Sequence, residues 1–263
     1  MEELLWVALL LFIVSSLLLT KRSNNRSYVI GFIGWLFFAA HWATLPMYYA
    51  HISDFFNVIL TILVAAFCAY VAFIMLINKD ELTLTITKAA AIGGIFYFSF
   101  AEFSYLNYLL RKAVTVQTVA ALNVLRIPAI QLGWNVVMLN NHSVEIILGC
   151  TGIESMALLL GIIACVSAPA VNKLKAFFVS VPVVYILNIV RNGFVITASG
   201  YEWFGSSDYS FYISHNVLAK FGSMAALVII SYLVFRILPE LLDMMVNVFT
   251  LLKGGVQDAS ERF

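Results

Sequence analysis

Seven runs of mostly apolar residues divide the chain, at about 3–20, 28–50, 55–77, 84–110, 150–169, 176–199 and 216–238. A helix needs roughly 20 such residues to cross a hydrocarbon layer about 30 Å thick, so the pattern predicts seven membrane-spanning helices. Two segments depart from it. Residues 111–149 hold no run long enough to span, and their second half reads WNVVMLNNHSVEIIL. Val136 and Met138, then Val144 and Ile146, alternate about Asn140-Asn141. Period-two alternation marks strands, and two asparagines tolerate the positive φ of a tight turn. Residues 134–148 are therefore expected to form a β-hairpin leading into Cys150. Residues 113–126 predict a short helix lying on the membrane surface. After Pro239, Leu241, Leu242, Met245, Val248, Phe249 and Leu252 share one helical face, and Glu240, Asp243 and Asn247 the other. That is the pattern of an interfacial helix over 240–253.

Composition fixes the class. The chain is 62% hydrophobic and 11% charged, with a mean hydropathy of +0.96, against about 25% charged residues in a soluble domain. The expectation is an all-α polytopic membrane protein, one membrane-embedded domain over 1–263, with 150–238 as its chemical helices. A net charge of +1 leaves no electrostatic footprint for nucleic acid. Cys68 and Cys165 lie deep in apolar runs, which argues against a disulfide framework and for packing roles. Glu2 and Glu3 precede the first run, where a signal peptide would be basic. Lys21, Arg22, Arg26, Lys79, Lys173, Lys175, Arg236 and Lys253 fall on one side if the N-terminus is outside and the C-terminus cytoplasmic. Arg111, Lys112 and Arg126, in the outside loop, oppose that orientation and are outnumbered.

Ionisable groups inside spans are costly and mark candidate sites. Cys150 opens the fifth run from the outside. Arg191 lies about fifteen residues past Ala176, ~22 Å up its helix at 1.5 Å per residue. His215 opens the last run, again from the outside. Three helices thus bring a thiol, a guanidinium and an imidazole to one level. The thiolate is the nucleophilic form of cysteine, and a helix N-terminus or a nearby cation favours it. Thr151 and Gly152 suit a first helical turn whose bare N–H groups hold an oxyanion. Arg191 can bind a developing oxyanion but cannot act as a base. His215 can take the thiol proton and return it to a leaving amine. Glu154 is expected to pair with Arg191 or another buried cation, and Asn188 and Asn192 flank Arg191. His41, His51, Glu102, Tyr105 and Asn107 are read as structural or groove-lining. No cofactor or metal is expected.

At CTGIES, LNIVRN and SHN the chain resembles the exosortase/archaeosortase family of multi-spanning membrane enzymes. The resemblance runs from about residue 145 to 236; before residue 110 it is hydrophobicity alone. It implies Cys150 as nucleophile, Arg191 as its partner and a third residue, histidine or arginine in the family, for which His215 fits better than Lys220. It further implies substrates that are secreted proteins with a C-terminal signal: a short Pro-Gly-Phe-type motif, a transmembrane helix and a basic tail. Cleavage would pass through a thioester and transfer to the amine of a phospholipid headgroup, at the extracytoplasmic face of the cell membrane. Proteolysis with water as acceptor, and a transporter with Arg191, Glu154 and Glu102 along a path, are the alternatives. The hairpin is expected to clamp the extended substrate segment, by adding a strand.

Overall fold

The computed structural model describes residues 2–18, 25–247 and 250. Lys21, Arg22 and Lys253 of the charge pattern, and Val248, Phe249 and Leu252 of the last amphipathic face, lie outside the described residues. In chain order the elements are α1 (Glu2–Leu18), α2 (Asn25–His51), α3 (Phe55–Ile77), α4 (Glu81–Glu102), α5 (Ser104–Val124), β1 (Ile130–Gln131), β2 (Val136–Leu139), β3 (His142–Glu145), α6 (Ile153–Cys165), α7 (Ala170–Gly200), α8 (Ser207–Phe211) and α9 (Ala219–Ile237). A further helix, α10, covers 239–247.

Among the described residues five helical segments are long and apolar enough to cross a membrane: α2, α3, α4, α7 and the continuous stretch Ser207–Ile237. The other two predicted spans are present as shorter apolar helices, α1 with 17 residues and α6 with 13. At 1.5 Å per residue α6 is about 20 Å long, short of a hydrocarbon layer. Its predicted run, 150–169, loses its start to a 3₁₀ turn over Leu148–Cys150 and a left-handed Gly152 at φ 75°. Its end is cut before Pro169, which caps α7 and biases the preceding residue away from helix.

The predicted span 84–110 is also cut. Phe103 is extended, with φ −79° and ψ 103°, so α4 stops at Glu102 and α5 starts at Ser104. Asn107 bridges the break, its Nδ2 donating to the Phe100 carbonyl at 3.1 Å. The short surface helix expected at 113–126 is therefore the later part of a 21-residue helix. Neither glycine nor proline marks the break. Only the polar trio Glu102, Ser104 and Asn107 hints at it.

The chain forms two compact units. The first holds α1–α3, most of α4, the end of α6 and α10. Its core is aromatic: Trp35 lies 4.8 Å from Phe12 and 6.0 Å from Phe38, ring centre to ring centre. The Trp35 Nε1–H finds Thr87 Oγ1 at 2.8 Å, satisfying a polar atom that would otherwise be stranded in an apolar layer. Cys68 is buried in this core as a free thiol.

The second unit holds α5, the small sheet, the start of α6, and α7–α9. The hairpin is present: β2 and β3 pair antiparallel, with Leu139 opposite His142. Asn140 and Asn141 have φ of 49° and 66°, both positive, as a type I′ turn requires. The phase of β2 differs from the sequence reading. Val137 and Leu139, not Val136 and Met138, face the core. All four are apolar, so periodicity could not choose between them, and the turn register does. β1, which the pattern did not predict, adds a third strand beside β2. Val137, Leu139, Val144 and Ile146 pack with Val114 and Leu122 of α5 and Ile196 of α7.

Arg111 fastens this sheet to α5. Its guanidinium reaches Glu145 at 2.9 Å and the Ile146 carbonyl at 2.9 Å, and lies 4.5 Å from the Trp134 ring centre. One of the three cations that oppose the charge pattern is thus neutralised by a partner of its own. Arg111→Ala is expected to lower the thermal stability of the purified protein by about 1–3 kcal/mol, the cost of leaving a carbonyl and a carboxylate without their charged donor. Melting in detergent would measure it.

Candidate active site

Cys150 closes the 3₁₀ turn that follows β3, and its own residue is 8% exposed. Its N–H donates to the Ile147 carbonyl at 2.9 Å. Thr151 donates twice to the Leu148 carbonyl, from N–H at 3.0 Å and from Oγ1 at 2.7 Å. The expectation that Thr151 offers a bare N–H to an oxyanion is therefore corrected. It holds the turn, and α6 begins only at Ile153.

α7 grips the same turn. The Nδ2 groups of Asn188 and Asn192, one helical turn apart, both donate to the Cys150 carbonyl, that of Asn192 at 2.8 Å. These carboxamides fix the peptide that carries the thiol, each with one N–H of its Nδ2. Gly152 makes the close approach possible. A Cβ there would stand 3.3 Å from Asn188 Cβ, on a backbone in the left-handed region. Gly152→Ala is expected to cost about 1–2 kcal/mol from the left-handed conformation and to loosen the Asn188 contact. A lowered melting temperature together with slower processing would be the observed result.

Arg191 lies three residues after Asn188 and one before Asn192, hence next to the face that holds Cys150. It is half-buried. Among the described residues its guanidinium has no hydrogen-bond or ion-pair partner. Glu154, its expected partner, is exposed and forms no ion pair among the described residues; the expected pairing is not made.

A cleft of about 670 Å³ opens beside Cys150. His215 lines it with Cys150, so the structure brings these two together. Arg191 and Lys220 are not among its lining residues. His215 sits within a π-helical stretch, Tyr212–Leu218, that joins α8 to α9. Such widened turns re-aim side chains and recur at functional sites. The imidazole stacks on Phe211, with centroids 5.1 Å apart and planes 9° apart, and its Nδ1 is 3.2 Å from Asn216 Oδ1. Both contacts restrict the ring.

The sequence reading missed Asp208, which lines the cleft with His215 seven residues on. Among the described residues its carboxylate has no side-chain partner. The i, i+3, i+7 spacing of Asp208, Phe211 and His215 was the available signal. His41, His51, Glu102, Tyr105 and Asn107 do not line this cleft. Among the described residues no three His, Cys, Asp or Glu side chains gather as a metal site.

Fold and cleft together define a multi-pass helical membrane protein in which Cys150 and His215 line one opening. Residues 2–231 match the model of the transmembrane exosortases, and the chain belongs to that family. It is 27% identical to archaeosortase A of Haloferax volcanii over 98% of this chain and 95% of the relative, and 28% identical to archaeosortase A of Natronomonas pharaonis over 92% and 86%. No solved structure matches it. Membership places the chain among membrane-embedded enzymes that process sorting signals.

Proposed function

We propose that this chain is a cysteine transpeptidase that cleaves the C-terminal sorting signal of secreted proteins at the extracytoplasmic face and joins the new C-terminus to a headgroup amine. The observation that carries the reading is that Cys150 and His215 line one cleft. His215 takes the thiol proton, and Cys150 Sγ attacks the scissile carbonyl carbon. Arg191 does not line the cleft, but it adjoins the asparagines that hold the Cys150 carbonyl and has no partner among the described residues; in this reading its guanidinium binds the oxyanion that develops. His215 returns the proton to the departing amine as the C–N bond breaks, leaving a thioester on Cys150. The acceptor amine then attacks the thioester, loses a proton to His215, and expels the Cys150 thiolate as a new amide forms.

The test is the intact mass of a reporter protein ending in a sorting motif, an apolar helix and a basic tail. Wild-type enzyme is expected to give a shortened reporter carrying the mass of an amine-containing lipid, and Cys150→Ala the full-length reporter. A shortened reporter with a free carboxylate would make the enzyme a hydrolase. Identical lipid-bearing products from both enzymes would remove Cys150 from the chemistry.

A further inference from the structure

The free edge of β3 runs along the cleft wall. Every residue from Asn141 to Glu145 lines the cleft. A cleft lying over one face of a strand touches alternate residues, because successive side chains point to opposite faces. Lining by all five, the inward-facing Val144 included, is the pattern that an opening along the strand's edge gives. The strand order is β1-β2-β3, so β3 pairs only with β2 and its other edge has no strand.

The register shows which groups that edge offers. The Ile146 N–H donates to the Asn135 carbonyl at 2.7 Å, which makes 146 and 135 a hydrogen-bonded pair. Bonded and non-bonded pairs alternate along an antiparallel ladder. Val144 opposite Val137 is then bonded, whereas Ser143 opposite Met138 and Glu145 opposite Val136 are not. The backbone N–H and C=O groups of Ser143 and Glu145 therefore point away from β2, towards the cleft. Among the described residues nothing else pairs with them. Exposed edges are guarded by shortness, by charged side chains, by proline or by a bulge, and β3 has the first two, with four residues and Glu145. β3, reading HSVE, has no lysine or proline. Its one acid is drawn to Arg111 and Asn135, at 2.9 and 2.8 Å.

We infer that this edge is the docking strand for the substrate: an extended segment around the scissile bond pairs through the backbone of Ser143 and Glu145, which sets its carbonyl against Cys150. This rests on the processing activity proposed above and specifies how its substrate is held. Ile147 and Cys150 continue the same wall, so a chain paired to β3 is delivered to the thiol. The contact is backbone to backbone. It selects for an extended, unpaired segment, and it tolerates varied side chains at the paired positions.

The test uses the full-length enzyme and the same reporter. Ser143→Pro removes an edge N–H without removing a bond of the β2–β3 ladder, and proline is compatible with an edge. It is expected to raise KM by about tenfold, the cost of roughly one backbone hydrogen bond. Melting behaviour and labelling of Cys150 by a small maleimide should match wild type. Val144→Pro, which breaks the ladder, should lower the melting temperature. Should Ser143→Pro itself prove unstable, Ser143→Cys supplies a second measurement. Disulfide crosslinks to cysteines placed one by one through the reporter's cleavage segment should be strong at every second position. Wild-type KM in a folded Ser143→Pro enzyme, or crosslinks without that period, would overturn the inference. Processing that survives Cys150→Ala would instead overturn the catalytic reading, and the two failures are separable.

Discussion

Arg191→Ala is expected to slow processing by about 10²–10³-fold, the usual cost of losing one donor to a developing oxyanion. The reason lies in where the charge sits. The residue is half-buried, flanked by the two asparagines that hold the Cys150 carbonyl. Among the described residues it has no partner of its own. Arg111, by contrast, is taken up by Glu145 and the Ile146 carbonyl. Arg191→Lys keeps the charge but loses the planar fork of donors, so it should recover part of the rate and no more. The effect should fall on kcat, with the melting temperature unchanged. A loss confined to stability would mark Arg191 as structural and remove it from the oxyanion role.

His215→Ala is expected to cost about 10²–10⁴-fold, the range for a positioned general acid–base, while Lys220→Ala stays close to wild type. The sequence left these two open because they lie about a turn apart on one helix. For the proton-transfer group the cleft favours His215, which lines it with Cys150 while Lys220 does not; Arg191 lies outside that lining too, and its role rests instead on its place beside Asn188 and Asn192, which hold the Cys150 carbonyl. The opening is large enough for a free imidazole to enter. Added imidazole should therefore restore part of the activity of His215→Ala and none of that of Cys150→Ala. Equal losses in the His215 and Lys220 variants would reject the assignment.

The tight asparagine turn and the long apolar helices α2, α3, α7 and Ser207–Ile237 could be read along the chain, and Cys150 stood out there as a candidate nucleophile. Each depends on near neighbours in sequence: two asparagines that accept positive φ, apolar runs of given length, a cysteine among small polar residues. Which residues of β2 face inward could not be read, since Val136, Val137, Met138 and Leu139 are all apolar and only the pairing register distinguishes them. The break at Phe103 carries no local signal strong enough to outweigh the apolar run around it. Asp208 was passed over because a single acid near a predicted loop reads as solvated until a fold sets it on a cleft.

The sequence by itself determined the membrane class, the apolar segments, the hairpin turn and the family, because membrane insertion and tight turns respond to local composition and backbone preference. Tertiary structure alone decided that Asn188 and Asn192 are used on the Cys150 carbonyl, that Thr151 holds a turn, that Glu154 does not meet Arg191, and that the edge of β3 borders the cleft. Those outcomes depend on contacts across tens of residues, where hydrogen-bond geometry chooses among partners that the sequence leaves equally available.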